Sequence, residues 1–114
     1  MPNILLFVKE QLLKNLDDDE DFAKSLLNDA LTEIPKDVEK LEGACRGDDI
    51  RAIQMQAHTI KGMSANLCTP ALQEIAKKME IAAKGGDLES AREFLPELVS
   101  TARMTVEAIR GECE

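Results

Sequence analysis

The chain has 114 residues, no tryptophan or tyrosine, three phenylalanines and a formal net charge of −8. A chain this long supports one domain with a single core; that core must be aliphatic, and the excess of helix formers over strand formers implies an all-α fold. The acidic balance excludes a nucleic-acid binder, which needs a basic stripe to neutralise phosphates, and no segment approaches the ~20 apolar residues of a membrane span.

Taken in chain order, the first apolar run, Ile4 to Val8, is too short for a signal-peptide core and is followed at once by Lys9 and Glu10, so a cytoplasmic protein is expected. With Leu12, Leu13 and Leu16 it forms a short amphipathic helix over about residues 3–16, a lid on the bundle described below. The acidic run Asp17–Asp21 is a helix start rather than a calcium loop, because it lacks alternating oxygen ligands and a glycine. It opens a helix over about 19–45 with the stripe Phe22, Leu26, Ala30, Ile34, Val38, Leu41 and Cys45, bent by Pro35. Gly47-Asp48-Asp49 separates this from a helix over about 49–67.

Thr69 is the expected N-cap, with Pro70 at the first helical position, of a helix over about 70–84 that carries Leu72, Ile75, Ala76, Met79, Ala82 and Ala83. Gly85-Gly86-Asp87 ends it and starts the last helix, about 87–110, with Leu88, Ala91, Leu95, Leu98, Ala102, Thr105 or Val106, and Ile109 inward. Short connections make neighbours antiparallel, giving an up-and-down four-helix bundle with a short N-terminal helix, and residues 1–114 read as a single domain. Cys45, Cys68 and Cys113 are widely spaced and odd in number, which suggests neither a disulfide framework nor a zinc site, and no metal ligands are expected.

The chemistry-bearing stretch is Arg51 to Leu67, which holds the only histidine. Its apolar stripe, Ile50, Ile53, Ala57, Ile60, Ser64 and Leu67, spans an arc of roughly 100°, and His58 lies roughly 130° from the centre of that arc. The imidazole therefore points away from the core. Arg51, Gln54, Met55, Lys61, Gly62 and Ala65 share its face, within about 60° on the helical wheel.

Gly62, in mid-helix, costs about 0.5–1 kcal/mol relative to alanine. Its missing bulk one turn after the histidine opens the imidazole to another molecule, and Ala65 extends the gap. Met55 offers an adaptable apolar contact. Lys61 is placed to offset negative charge arriving at the ring. A ring that titrates near neutrality beside an ammonium suits a phosphoryl group. The sequence carries no glycine-rich phosphate loop and no carboxylate cluster for Mg²⁺, so donor and metal would come from a partner.

These residues resemble a known family. The stretch AHTIKGMSANL is similar to the His-x-x-Lys-Gly motif of histidine-containing phosphotransfer (HPt) domains of bacterial two-component phosphorelays. LQEIAKKMEIAAKGGDLESAREFLPEL resembles the family's next helix, its Gly-Asp turn and the start of its last helix, and residues 21–62 resemble its long proline-containing helix and the loop that follows. The resemblance implies a carrier without ATP-using kinase activity: His58 accepts a phosphoryl group from a receiver-domain phosphoaspartate and passes it to another receiver. Lys61 would stabilise the phosphoryl charge and Gly62 would clear the approach. Arg51, Gln54, Met55, Ala65, Lys77 and Glu80 would form the docking surface, with the Glu80 carboxylate a repulsive neighbour of the phosphoryl group.

Mg²⁺ would sit on the receiver, no cofactor on this chain. The partners implied are response-regulator receivers and, where the pathway has one, a hybrid histidine kinase, with the domain monomeric. Cys68 and Met63 depart from the family pattern, which often has glycine and a small residue there. Two other readings compete: the phosphate-accepting domain of a chemotaxis-type kinase, which shares fold and motif, and an adaptor bundle with an inert His58.

Overall fold

A computed structural model describes residues 5–113. Six helices follow in order: α1 (Lys9–Asn15), α2 (Glu20–Arg46), α3 (Ile50–Leu67), α4 (Pro70–Lys84), α5 (Leu88–Glu93) and α6 (Leu95–Cys113). Helix α2 packs on α3 and α6, and α4 packs on α3 and α6, so the four long helices close a ring in the order α2, α3, α4, α6. This is the expected antiparallel bundle. Its core is aliphatic, with Leu12, Ile34, Leu41, Ile53, Ile60, Leu72, Met79, Leu98 and Ile109 fully buried. Two polar residues enter the core stripes without leaving an unpaired group, because Ser64 and Thr105 donate back to the carbonyls of Ile60 and Thr101, both at 2.7 Å.

Three acidic N-caps act as the sequence implies. Asp19 accepts from the Phe22 N–H, Asp49 from Arg51 and Ala52, and Asp87 from Ser90. Asp17 and Asp18 do not join the helix. Both take left-handed backbone conformations in the α1–α2 turn, which Asp tolerates better than most residues. Helix α2 runs unbroken through Pro35.

Four expectations change. Residues 5–8 are not helical, so the first helix is Lys9–Asn15 rather than 3–16; residues 3 and 4 lie outside the described residues. The reason is competition from the α3–α4 turn. The Val8 N–H donates to the Cys68 carbonyl at 2.9 Å, and the Ala71 N–H donates to the Leu5 carbonyl at 3.0 Å. Residues 5–8 thus satisfy orphan groups at the end of α3 and the start of α4.

Thr69 stands at the N-cap of α4 with Pro70 at the start of the helix, as expected, and its carbonyl accepts from the Gln73 N–H at 3.1 Å, but its side chain makes no capping hydrogen bond. It is buried, and both its N–H (2.9 Å) and its hydroxyl (3.1 Å) donate to the Ser64 carbonyl. The last helix is interrupted at Phe94, because Pro96 has no N–H for the Arg92 carbonyl and its ring crowds that group. Phe22, placed on the α2 stripe by periodicity, is 54% exposed, and Ala23 and Leu27 fill the core instead.

Candidate functional site

His58 sits at the middle of α3, where the backbone is held by the buried stripe Ile53, Ala57, Ile60 and Ser64. Its side chain is 66% exposed, on the seam between α3 and α4. Glu80 of α4 meets it there. The Nδ1 atom of His58 lies 2.6 Å from Glu80 Oε2, and Glu80 Oε1 lies 2.6 Å from Lys61 Nζ.

One carboxylate therefore bridges the two residues of the His-x-x-Lys motif. Burial of its 15%-exposed side chain, the largest single influence on Glu80, raises its pKa. Hydrogen bonds and charge from Lys61 and His58 outweigh that and hold the carboxyl below the ordinary glutamate range. An ionised carboxylate only accepts hydrogen bonds, so the proton at this contact belongs to Nδ1. In the neutral tautomer that this contact selects, Nε2 is the unprotonated nitrogen, and it has no hydrogen-bond partner among the described residues.

Gly62, one turn further along α3, has helical backbone angles, and a Cβ built on it would meet nothing within 4 Å. Neither internal packing nor backbone conformation requires glycine there. Arg51 and Ala65 are exposed, Gln54 is half-buried, and Met55 is 66% exposed, so α3 presents the face the wheel gives. On α4, Lys77 is exposed one turn before Glu80. The structure thus links His58, Lys61 and Glu80 directly, while Arg51, Met55, Gly62, Ala65 and Lys77 make no hydrogen bond or ion pair with the ring among the described residues.

Two points differ from the sequence reading. Lys61 is not free beside the imidazole but is held by Glu80. Glu80 is not an isolated negative neighbour either, because a donor and a cation occupy its two oxygens. Ile81, directly after Glu80, is a large apolar side chain 59% exposed that the sequence reading did not single out. Its signal was in the sequence: it is a large apolar residue outside the α4 stripe, and with Met55 it gives the two helices of the seam one exposed apolar side chain each.

Among the described residues, no group of three or more His, Cys, Asp or Glu side chains is arranged to hold a metal ion. Among the described residues, no helix is long and apolar enough to cross a membrane.

Comparison with known proteins places this geometry. None of the curated proteins matches the chain by sequence. Histidine-containing phosphotransfer protein B from Pseudomonas aeruginosa PAO1 has a similar structure, with a TM-score of 0.87 at 21% identity over 95% of this chain and 94% of that one. The HPT domain of a sensor hybrid histidine kinase from Shewanella is also similar, with a TM-score of 0.83 at 20% identity over 96% and 94% of the two chains. The family model for the Hpt domain matches residues 25–112, a span that takes in most of α2, all of α3, α4 and α5, and nearly all of α6. With its exposed His58 in that span, the chain belongs to the Hpt-domain family, the phosphotransfer modules of two-component signalling.

Proposed function

We propose that this protein is a phosphorelay intermediate: His58 takes a phosphoryl group from the phosphoaspartate of one receiver domain and gives it to the aspartate of another. The observation that carries the reading is the ring itself, exposed, with Nδ1 occupied by Glu80, Nε2 without a hydrogen-bond partner among the described residues, and a glycine one turn further along the helix with open space around it. In the loading step the Nε2 lone pair forms the new bond to phosphorus. The P–O bond of the acyl phosphate breaks and its electron pair returns to the receiver carboxylate. Positive charge develops on the imidazole, where the Glu80 carboxylate faces it through the Nδ1 proton. Lys61, within reach of the same face, exchanges part of its contact with Glu80 for the arriving phosphoryl oxygens. Unloading is the reverse sequence with a second aspartate.

The chain acts as a carrier. The receiver contributes Mg²⁺ and the activated phosphate, and this domain supplies the nucleophile and its surroundings without kinase activity of its own. Arg51, Gln54, Met55, Ala65 and Lys77, together with Ile81, form the surface on which receivers dock, and the domain works as a monomer in the cytoplasm. The alternative of an inert His58 has no feature in its favour that accounts for the bare Gly62.

The test is a phosphotransfer assay against a panel of phosphorylated receiver domains from the same organism, with His58→Gln as control. Label that appears on the wild type, is lost in acid, survives base and is absent from the variant supports the reading. A folded wild type that accepts label from no receiver overturns it.

A further inference from the structure

The group on Nδ1 is a carboxylate, and its charge has a consequence for the phosphorylated form, given the reading of His58 as phosphoacceptor. Once Nε2 carries a phosphoryl group, Nδ1 is the one ring position left to titrate. With Nδ1 protonated, rupture of the P–Nε2 bond releases a neutral imidazole. With Nδ1 bare, the same rupture must release an imidazolate, a far poorer leaving group. The form that donates is therefore the Nδ1-protonated one, and whatever holds that proton governs how readily the phosphoryl group moves on.

Glu80 is built to hold it. Its Oε2 lies 2.6 Å from Nδ1, and its side chain is 15% exposed, so water screens the contact only in part. It is the only carboxylate within 4.0 Å of the ring nitrogens among the described residues. The other charged residues of α3 are Arg51 and Lys61, and those of α4 are Glu74, Lys77, Lys78 and Lys84; of these only Lys61 joins the cluster, bound to the other Glu80 oxygen at 2.6 Å. No charged side chain of α2 or α6 pairs with the ring among the described residues. The Lys61 ammonium disfavours a protonated ring, and Glu80 is the one carboxylate paired with the ring to favour it.

We propose that the negative charge of Glu80 retains the Nδ1 proton on phosphorylated His58 and so keeps the domain an active phosphoryl donor to higher pH than an uncharged residue at this position would allow. In the donating step an acceptor oxygen, from a receiver aspartate or from water, bonds to phosphorus as the P–Nε2 bond breaks. The electron pair returns to Nε2, and Nδ1 keeps its proton throughout. Glu80 touches no atom that forms or breaks a bond to phosphorus; it is a positioning residue that acts through the ring.

The experiment phosphorylates the intact domain chemically with phosphoramidate, removes the reagent, and follows loss of the P–N signal by ³¹P NMR from pH 5 to pH 10. Wild type is compared with Glu80→Gln and Glu80→Asp, and the fold of each variant is checked by far-UV circular dichroism. The rate falls with rising pH as Nδ1 loses its proton. In Glu80→Gln the inflection moves down by about one unit, the lower end of the effect of a close opposite charge, so the variant loses its phosphoryl group roughly tenfold more slowly above the inflection. Glu80→Asp, which keeps the charge, falls between the two. Coincident profiles for wild type and Glu80→Gln overturn the inference while leaving the phosphoacceptor reading intact. A wild type that takes up phosphate from neither phosphoramidate nor a receiver overturns both.

Discussion

Replacing Gly62 by alanine separates what the helix needs from what the partner needs. In the isolated domain the added methyl group meets nothing within 4 Å, and the backbone is already helical. The change should therefore stabilise the fold by about 0.5–1 kcal/mol through helix propensity alone, raising Tm by roughly 2–5 °C for a chain of this size. Its effect on transfer has the opposite sign. A partner in van der Waals contact with the Gly62 Cα would be pushed back by about the length of a C–C bond, ~1.5 Å, and a misplacement of about 1 Å in a reacting pair costs on the order of 10²-fold in rate.

Transfer from a phosphorylated receiver should thus fall between about 10- and 100-fold. Phosphorylation by small, freely diffusing phosphoramidate should change less than twofold. Thermal unfolding followed at 222 nm and the two phosphorylation assays are run on the same preparation. A destabilised Gly62→Ala would show that the side of α3 opposite the core is packed in a way the structure does not contain. A more stable variant with unchanged receiver transfer would show that the bare backbone serves no access role.

Asp37 is buried on α2, and its carboxylate accepts no hydrogen bond among the described residues; burial, then the neighbouring Glu33, push its carboxyl above the ordinary aspartate value. A raised folded pKa in an acid means that ionisation opposes folding, so Asp37→Asn should be more stable than wild type in urea at neutral pH, with the advantage vanishing as pH falls through the folded value. An advantage that persists in acid would rule out this cause. Cys68 ends α3 with φ 57° and ψ 52°. Cys68→Gly should gain about 0.5–1 kcal/mol by removing that strain, whereas Cys68→Val should lose about 1–2 kcal/mol because a β-branched residue fits the left-handed region worse; equal urea midpoints for the two would refute the assignment. Arg92 donates from Nε to the Cys45 carbonyl at 2.8 Å and from a terminal nitrogen to the Gly47 carbonyl at 2.7 Å, closing the free end of α2. Arg92→Ala should cost about 1–2 kcal/mol with little dependence on salt, since the accompanying pair with the 94%-exposed Asp48 is a weak one.

The stripes of α3 and α4 were legible residue by residue, because in these helices apolar periodicity and burial coincide and Asp49 caps α3 as its position implies. The direction of His58 followed from the same stripe without any structure. What the sequence could not show lies between elements. Residues Leu5 to Val8 have a helical apolar pattern but leave the helix to bond the α3–α4 turn, a tertiary override of local preference. Pro96 was overlooked inside a good periodic run, although its missing donor alone predicts an interruption. Glu80 could be nominated as a neighbour of the site, but its bridge between His58 and Lys61 depends on the rotation and stagger of α4 against α3, and no spacing rule within one helix contains those.

That stagger is itself set by the short turn between the two helices. Ser64 offers its carbonyl to both the N–H and the hydroxyl of Thr69, Cys68 turns the chain in the left-handed region, and the Leu5 carbonyl takes the first free donor of α4. Pro70 at the start of α4 fixes its direction further. Glu80 stands about two and a half turns from this staple, so a small change in how α4 leaves the turn becomes an ångström-scale shift at Nδ1. A hydrogen bond of 2.6 Å does not survive a shift of that size. It follows that substitutions at Thr69 or Ser64, far from the imidazole and in contact with no partner, act on the chemistry of His58 as well as on stability. The bundle therefore does more than expose a histidine: through one buried turn it sets the hydrogen bond that decides which nitrogen is free.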